Sequence, residues 1–129
     1  MVAGDTLPEA VRGFLTRYIS TVEQLELLLF LYRNAGNAWT AEEVARQLAI
    51  SQEAAATQLD AFREQALLAR DEGGGGYRFS PPSPEANLVL AELSRLYLER
   101  RVAVITFIYT KPNDRLRSFS DAFKFRKEE

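Results

Sequence analysis

The sequence predicts a mostly α-helical fold with one small two-stranded β-hairpin, and three observations lead to that prediction. Apolar residues recur at helical spacing in several segments of the 129-residue chain. Ser or Thr stands just before several of these segments, where a side-chain oxygen can cap a helix. The short runs "LLAR" and "YRFS", joined by "DEGGGG", have the pattern of two strands around a turn.

Two helices are expected before residue 37. Thr6 can cap a first helix with Pro8 in its first turn. Ser20 and Glu23 have capping-box spacing, so a second helix starts there or the first is capped again. This second helix, "VEQLELLLFLYRN", is apolar nearly all round and is expected at the centre of the domain. It should end where Gly36 takes a left-handed conformation.

Two further helices, joined by a tight turn, are expected before the hairpin. The segment "AWT" is long enough for a single β-bridge, with Trp39 as a large anchor. Thr40 and Glu43 form a capping box at the start of "AEEVARQLA", and Ser51 caps "QEAAATQLDAFREQ". The residues expected to face inward are Val44, Ala45 and Leu48 in the third helix and Ala55, Leu59 and Phe62 in the fourth.

Two helices are also expected after the hairpin. The prolines of "PPSPEA" end the sheet, and Ser83 caps the next helix. From 86 to about 110 the apolar spacing is helical, although the β-branched residues of "VAVITFIYT" also favour a strand. We expect a helix whose apolar stripe is interrupted by Arg100. Pro112 should end it, and Asn113 should cap a final amphipathic helix.

The stretch from 39 to 80 carries a more specific pattern. Thr40 stands at a helix cap, Val44-Ala45 form a small pair inside the helix, and Ile50-Ser51 form the turn. The run Leu67 to Arg70 enters the hairpin. In these residues the chain resembles the winged helix-turn-helix domain of bacterial regulators of the MarR and ArsR type. It departs from the family at Gln65-Ala66, where a glycine usually ends the fourth helix.

The resemblance implies a winged helix over residues 8–80, with the two-stranded hairpin as its wing. A two-helix C-terminal extension over 84–127, used for dimerisation or for docking a partner, would follow. In this family type the fourth helix lies in the DNA major groove. The candidate nucleic-acid-binding residues are Gln52, Thr57, Gln58, Arg63, Arg70 and Arg78.

The distribution of charge argues against such a role in DNA binding. Residues 1–94 carry 7 basic and 13 acidic residues (−6), whereas residues 95–129 carry 9 and 5 (+4). The fourth helix itself carries Glu53 and Asp60 among its solvent-facing positions. Non-specific affinity for DNA depends on Lys and Arg contacts to phosphates. We therefore expect a regulatory module that acts mainly through protein–protein contacts, with a DNA-binding repressor of the MarR or ArsR type as the alternative.

The chain contains no Cys and no His. Without thiolate or imidazole, most nucleophilic triads, zinc sites and thiol redox centres are excluded. No carboxylates stand in the pattern of a buried pair with separated pKa values. We therefore expect a protein that is not an enzyme and that holds no metal or other cofactor.

Two features predict a cytoplasmic protein without a membrane span. The N-terminus "MVAGDTLPEA" has an acid and a proline where a secretion signal has a basic start and an apolar run. The longest apolar runs, 27–32 and 102–110, are far shorter than the roughly 20 residues that cross a bilayer.

The C-terminal part carries more apolar residues than one small domain is expected to cover, which predicts a homodimer. The candidate interface residues after the hairpin are Leu93, Leu96, Tyr97, Val104, Phe107 and Ile108. In the final helix they are Leu116, Phe119, Phe123 and Phe125, surrounded by basic residues. This final helix is expected to pack on the 86–110 helix or on a second subunit. Alternatively, it docks on an acidic protein groove, an anionic membrane surface or nucleic acid, and of these we favour the protein.

Overall fold

The computed structural model describes residues 7–110, and within this range the fold is mostly α-helical with one small antiparallel sheet. The helices are α1 (Glu9–Tyr18), α2 (Val22–Arg33), α3 (Ala41–Leu48), α4 (Gln52–Glu64), α5 (Pro84–Glu99) and α6 (Arg101–Thr110). The strands are β1 (Leu68–Arg70) and β2 (Tyr77–Phe79). The predicted combination of several helices with one small hairpin is thus confirmed.

The junction between α1 and α2 differs from its prediction by one residue. Thr21 is the N-cap of α2, and its hydroxyl accepts a hydrogen bond from the backbone N–H of Gln24 at 3.1 Å. The Gln24 side chain accepts in turn from the backbone N–H of Ser20 at 2.7 Å. The prediction of a capping box between Ser20 and Glu23 was therefore wrong. The adjacent Thr21 caps the helix, and Gln24 rather than Glu23 supplies the side chain that accepts from a backbone N–H.

α1 begins at Glu9 and its N-cap is Pro8, which was predicted to lie in the first turn of the helix. The predicted cap, Thr6, lies outside the described residues.

α2 is the central helix, as predicted. Five of its leucines, Leu25, Leu27, Leu28, Leu29 and Leu31, have no exposed surface. The helix ends at Arg33, and Asn34 follows as its C-cap with φ −119°. The Asn34 side chain and its backbone N–H both donate to the carbonyl of Phe30, at 2.8 and 3.1 Å. This asparagine ends the helix before Gly36, which has no left-handed φ. The prediction for Gly36 was wrong.

α3 and α4 pack against each other across the tight turn that was predicted. Thr40 and Glu43 form the predicted capping box, at 2.9 and 3.1 Å. The Ser51 hydroxyl caps α4 by accepting from the N–H of Ala54 at 3.0 Å. Between them Ala49 takes a left-handed conformation with φ 57°. The predicted inward residues Val44, Ala45, Ala55, Leu59 and Phe62 are buried, and Leu48 is half-buried.

The hairpin follows the end of α4 directly. Ala66 has φ 69°, the left-handed conformation for which a glycine is usual. β1 pairs antiparallel with β2, with Leu68 opposite Phe79. Trp39 forms the predicted single bridge to Tyr77 through two backbone hydrogen bonds of 2.7 and 2.8 Å. The hairpin is thereby joined to the chain that enters α3.

The two helices after the hairpin meet at a break. Ser83 caps α5 as predicted, accepting from the N–H of Ala86 at 3.1 Å. Arg100 then leaves the helical conformation (φ −134°, ψ 53°) and α6 begins at the next residue. The predicted helical conformation of 102–110 is confirmed, but the prediction of one helix from 86 to about 110 was wrong, because the helix breaks at Arg100 and the chain forms two helices.

α5 packs on α1 and α2, and α6 packs on α1. In these contacts Leu93, Leu96, Tyr97, Val104 and Ile108 are buried in the chain's own core, while Phe107 is half-buried. The prediction that one domain could not bury these apolar residues was therefore wrong, because α1 and α2 of the same chain cover them. The large apolar side chains that stay exposed are Leu88, Leu98, Val102 and Tyr109. The interface candidates Leu116, Phe119, Phe123 and Phe125, with the final helix predicted for them, lie outside the described residues.

None of the helices between residues 7 and 110 is both long and apolar enough to cross a lipid bilayer.

Candidate functional site

The exposed face of α4 is the first candidate site, since four of the six predicted contact residues lie on this helix: Gln52, Thr57, Gln58 and Arg63. Gln52 and Thr57 are exposed, as a residue that contacts a partner must be. Gln58 is half-buried, and its side-chain amide donates to the Glu23 carboxylate of α2 at 2.7 Å. Gln52 and Thr57 are therefore accessible to a partner, whereas the side chain of Gln58 is already hydrogen-bonded within the molecule.

The arginines around this face are paired with acids of the same chain. Arg63 lies with its Nε 3.7 Å from the Asp60 carboxylate. Arg78 donates to the Asp71 carboxylate and to the Gly36 carbonyl, both at 3.1 Å. On α3, Arg46 and Glu42 are 3.5 Å apart and both are exposed. The positive charge of each of these arginines is therefore partly offset by a carboxylate of the same chain.

Asp60 connects α4 to the hairpin. The Tyr77 hydroxyl donates to the Asp60 carboxylate at 2.6 Å, and the Arg70 guanidinium lies 5.0 Å from the centre of the Tyr77 ring. Burial, and then the hydrogen bond to Asp60, raise the pKa of the Tyr77 hydroxyl. Asp60 was expected among the solvent-facing positions of the helix, and instead it is half-buried and bonded to the hairpin. The sequence held no signal for this pair, because it depends on how the hairpin packs on α4.

The surface formed by residues 39–80 is acidic. This stretch holds four arginines and seven acids, a net charge of −3. Glu53 and Glu64 lie exposed near the two ends of α4, and Glu72 is exposed in the hairpin turn. At physiological salt, charges closer than about 8 Å still act on one another. The phosphates of a DNA duplex placed on α4 would therefore be repelled by Glu53 and Glu64.

A second polar cluster ties α2 to α5 and α6. The Tyr97 hydroxyl and Arg101 both donate to the Glu26 carboxylate, at 2.8 and 3.1 Å. The Arg101 guanidinium also lies 4.6 Å from the centre of the Tyr97 ring. Burial, and then the hydrogen bond to Glu26, raise the pKa of Tyr97. In this cluster a carboxylate is satisfied by two donors, which is the arrangement of a structural contact between helices.

An open groove of about 730 Å³ lies between α1 and the α5–α6 break. Its lining includes the apolar side chains of Leu98, Val102 and Phe107. Arg12 of α1 and Thr110, the last residue of α6, also lie along it. No pattern in the sequence indicates this groove, because it is produced by the packing of α1 against residues about 90 positions further along the chain.

Within residues 7–110 no three carboxylates are gathered in an arrangement that could hold a metal ion. Comparisons with protein-family models, with curated proteins and with solved structures found no match for this chain. The resemblance to MarR and ArsR regulators accordingly stays a prediction from the residues.

Proposed function

We propose that the chain is a non-enzymatic winged-helix regulatory module, associated with transcription, that acts mainly through protein–protein contacts. The order of the elements supports the fold assignment: α3, a tight turn, α4 and a two-stranded hairpin follow one another as in a winged helix. The function rests on one observation about the surface of α4. Of the four arginines in residues 39–80, three are paired with acids of the same chain, Arg63 on α4 itself and Arg46 and Arg78 beside it, and the unpaired charges on the exposed side of α4 include Glu53 and Glu64.

Binding to DNA requires the opposite distribution of charge. A DNA-binding protein that makes about 6 to 10 phosphate contacts gains most of its non-specific affinity from the counterions that its Lys and Arg release. Here Arg46, Arg63 and Arg78 are each held by a carboxylate. An arginine that contacts a phosphate in place of its carboxylate gains little binding free energy, because one anionic partner replaces another. The carboxylate that it leaves also stays close to the DNA. The same acidic face is suited to a protein surface that carries Lys or Arg.

The alternative is a DNA-binding repressor of the MarR or ArsR type. It is favoured by one specific observation: Gln52 and Thr57 are exposed on α4, and Arg70 is exposed at the hairpin. Glutamine can pair with adenine in the major groove, and threonine and arginine contact phosphates.

A fluorescence-polarisation titration against a random-sequence duplex tests the proposal. At low salt we expect no binding by the unmodified chain. The double variant Glu53→Lys/Glu64→Lys removes two acids from α4 and adds two bases, so we expect it to gain binding that weakens as salt is raised.

The matched control is Glu9→Lys/Glu85→Lys, which makes the same change in net charge at two exposed positions outside α4. This control variant should not bind the duplex. If the unmodified chain binds the duplex at low salt and loses affinity steeply with added salt, the protein-docking proposal is wrong and the repressor is favoured.

We also propose that the module works as a homodimer. Leu88 on α5 and Tyr109 on α6 are each 69% exposed although they are large and apolar, and a second copy would cover them.

A further inference from the structure

The groove between α1 and the α5–α6 break contains exposed apolar surface. Leu98 and Val102, which are 70% and 77% exposed, lie along it together with Ala103 and the half-buried Phe107. Side chains of this kind, side by side in a concave surface, are the usual mark of a docking site.

We propose that this groove is the binding site of residues 113–127 of the same chain. The inference does not depend on the proposed function, since it holds whether α4 contacts a protein or DNA.

The point of attachment is the first argument for this occupant. Thr110 lies at the groove, and three residues later the predicted C-terminal helix begins. A segment on such a short linker is present at an effective concentration in the millimolar range. It therefore competes successfully with a free partner or a second copy that binds the groove with the same affinity.

The length and the apolar spacing of the segment are the second argument. A 15-residue helix over 113–127 would be roughly 22 Å long, and the groove side of 98–110 spans roughly 18 Å. A segment that turns back at Pro112 runs antiparallel to α6. In that register Leu116 would fall beside Phe107, and Phe123 would fall beside Arg100, within one helical turn of Leu98.

The charges fit this register. Lys124, Arg126 and Lys127 follow the apolar stripe, so they would lie beyond the α5–α6 break, next to α5. There Glu92 and Glu99 both pair with the single Arg95, so two carboxylates share one guanidinium. The basic end of the segment would supply the positive charge that this group lacks. Residues 7–110 carry 10 basic and 13 acidic residues, whereas residues 111–127 carry 6 basic and 2 acidic residues. The two parts of the chain therefore have net charges of opposite sign.

Cross-linking between two introduced cysteines tests the proposal directly, because the chain has no cysteine of its own. The variant Ala103→Cys/Ser120→Cys places one thiol in the groove and one in the segment, and both changes are small. With a short bismaleimide we expect most chains to become cross-linked within the monomer, with a yield that does not depend on protein concentration. A gel under denaturing conditions separates such monomers from cross-linked dimers.

The matched control is Leu88→Cys/Ser120→Cys. Leu88 is exposed on α5 but lies 15 residues before Ala103, roughly 22 Å away along the helices. It should give no cross-link within the monomer, although each of its thiols reacts with a monofunctional maleimide.

A groove variant supplies an independent measurement. Val102→Asp should leave the helix content unchanged, because Val102 is 77% exposed. Added to the Ala103→Cys/Ser120→Cys protein, it should lower the cross-link to the control yield and speed tryptic cleavage after Arg115 and Arg117.

Two outcomes would overturn the proposal. Cross-linked dimers that increase with protein concentration, without cross-linked monomers, would assign the groove to the segment of a second copy. No cross-link at all, with both thiols reactive, would mean that the segment lies elsewhere, as expected if it binds an acidic partner protein.

Discussion

Ala49 and Ala66 have left-handed backbone conformations, with φ of 57° and 69°. A residue with a Cβ is less stable in that conformation by about 1–2 kcal/mol, whereas glycine is not. Both alanines end helices: Ala49 closes α3 before the turn, and Ala66 lies between α4 and β1. The chain thus stores backbone strain on either side of α4.

Replacement of these alanines by glycine should therefore stabilise the protein. The relief of strain exceeds the extra flexibility of glycine in the unfolded chain, which is about 0.4–1 kcal/mol. We expect Ala66→Gly and Ala49→Gly each to raise the free energy of unfolding, by up to about 1 kcal/mol. Chemical denaturation measures the change.

Ala61→Gly is the control for both variants. Ala61 is exposed in the interior of α4, where glycine lowers stability by about 1 kcal/mol. The same chemical change should thus have opposite signs at the two kinds of position. Destabilisation by Ala66→Gly would contradict the left-handed conformation.

The hydrogen bond from Tyr77 to Asp60 predicts a dependence of stability on alkaline pH. The pKa of Tyr77 is raised from its ordinary value of 10.0 by burial and by this bond. The unfolded chain therefore loses this proton at lower pH than the folded chain does. The contribution of Tyr77 is fully present below pH 10 and is lost as the pH rises through the raised folded pKa.

Tyr77→Phe should be less stable than the parent at pH 8, because the Asp60 carboxylate loses a donor. The difference between the two proteins should shrink above pH 10, and urea denaturation at several pH values measures it. Tyr109→Phe, which alters a side chain that is 69% exposed, is the control and should match the parent at pH 8. A difference for Tyr77→Phe that stays constant across this range would rule out the proposed linkage.

At the level of secondary-structure elements, the hairpin is held to the rest of the domain by close backbone contact. A Cβ at Gly76 would lie 3.0 Å from the backbone carbon and oxygen of Trp39, the residue that bridges to Tyr77. Backbone atoms of a bridged residue cannot move aside as the end of a flexible side chain can. The close approach of the Trp39 backbone therefore favours glycine at position 76, because a side chain there would have to displace it.

We expect Gly76→Ala to displace the hairpin from Trp39 and to lower stability by about 1–3 kcal/mol, as overpacking does. The fluorescence of Trp39, the only tryptophan of the chain, reports on the displacement. Gly73→Ala is the control, since a Cβ there would meet only the Asp71 carboxylate at 4.0 Å. Equal effects of the two substitutions would contradict the role given to Gly76.

The elements that could be predicted from the sequence are those whose signals are local. The Thr40–Glu43 box, the Ser51 and Ser83 caps and the hairpin involve residues within a few positions of one another. The start of α2 and the role of Gly36 were mispredicted because a nearby residue could serve equally well. The structure uses Thr21, next to Ser20, and Asn34, two residues before Gly36.

The candidate site was predictable only in part. The spacing of residues placed Gln52 and Thr57 correctly on the exposed side of α4. The partners of Gln58 and Asp60, which are Glu23 and Tyr77, come from other elements, and spacing along one helix carries no information about them. The burial of Leu93 and Leu96 against distant helices was missed for the same reason.

At the level of the whole molecule, the exposed apolar residues of α5 and α6 bear on assembly. We expect light scattering at tens of micromolar to show a dimer of the unmodified chain. Leu88→Asp/Tyr109→Asp places charges on the face proposed for the second copy and should give a monomer, because a charge buried in an apolar interface is strongly disfavoured.

The control for assembly is Gln47→Asp, which adds a charge at an exposed position of α3 and should stay dimeric. A monomeric parent chain, or a double variant with unchanged mass, would remove the support for self-association through Leu88 and Tyr109.

The leucines of α2 have no exposed surface because α5, α3 and β2 pack around this helix. A helix enclosed in this way cannot fray one turn at a time, so its amide protons meet deuterated water only when the whole body opens. The free energies of exchange of Leu27, Leu28 and Leu29, which are their rates corrected for intrinsic exchange, should accordingly be equal to one another. Together they would serve as an internal gauge of global unfolding, against which the local opening of every other segment can be compared.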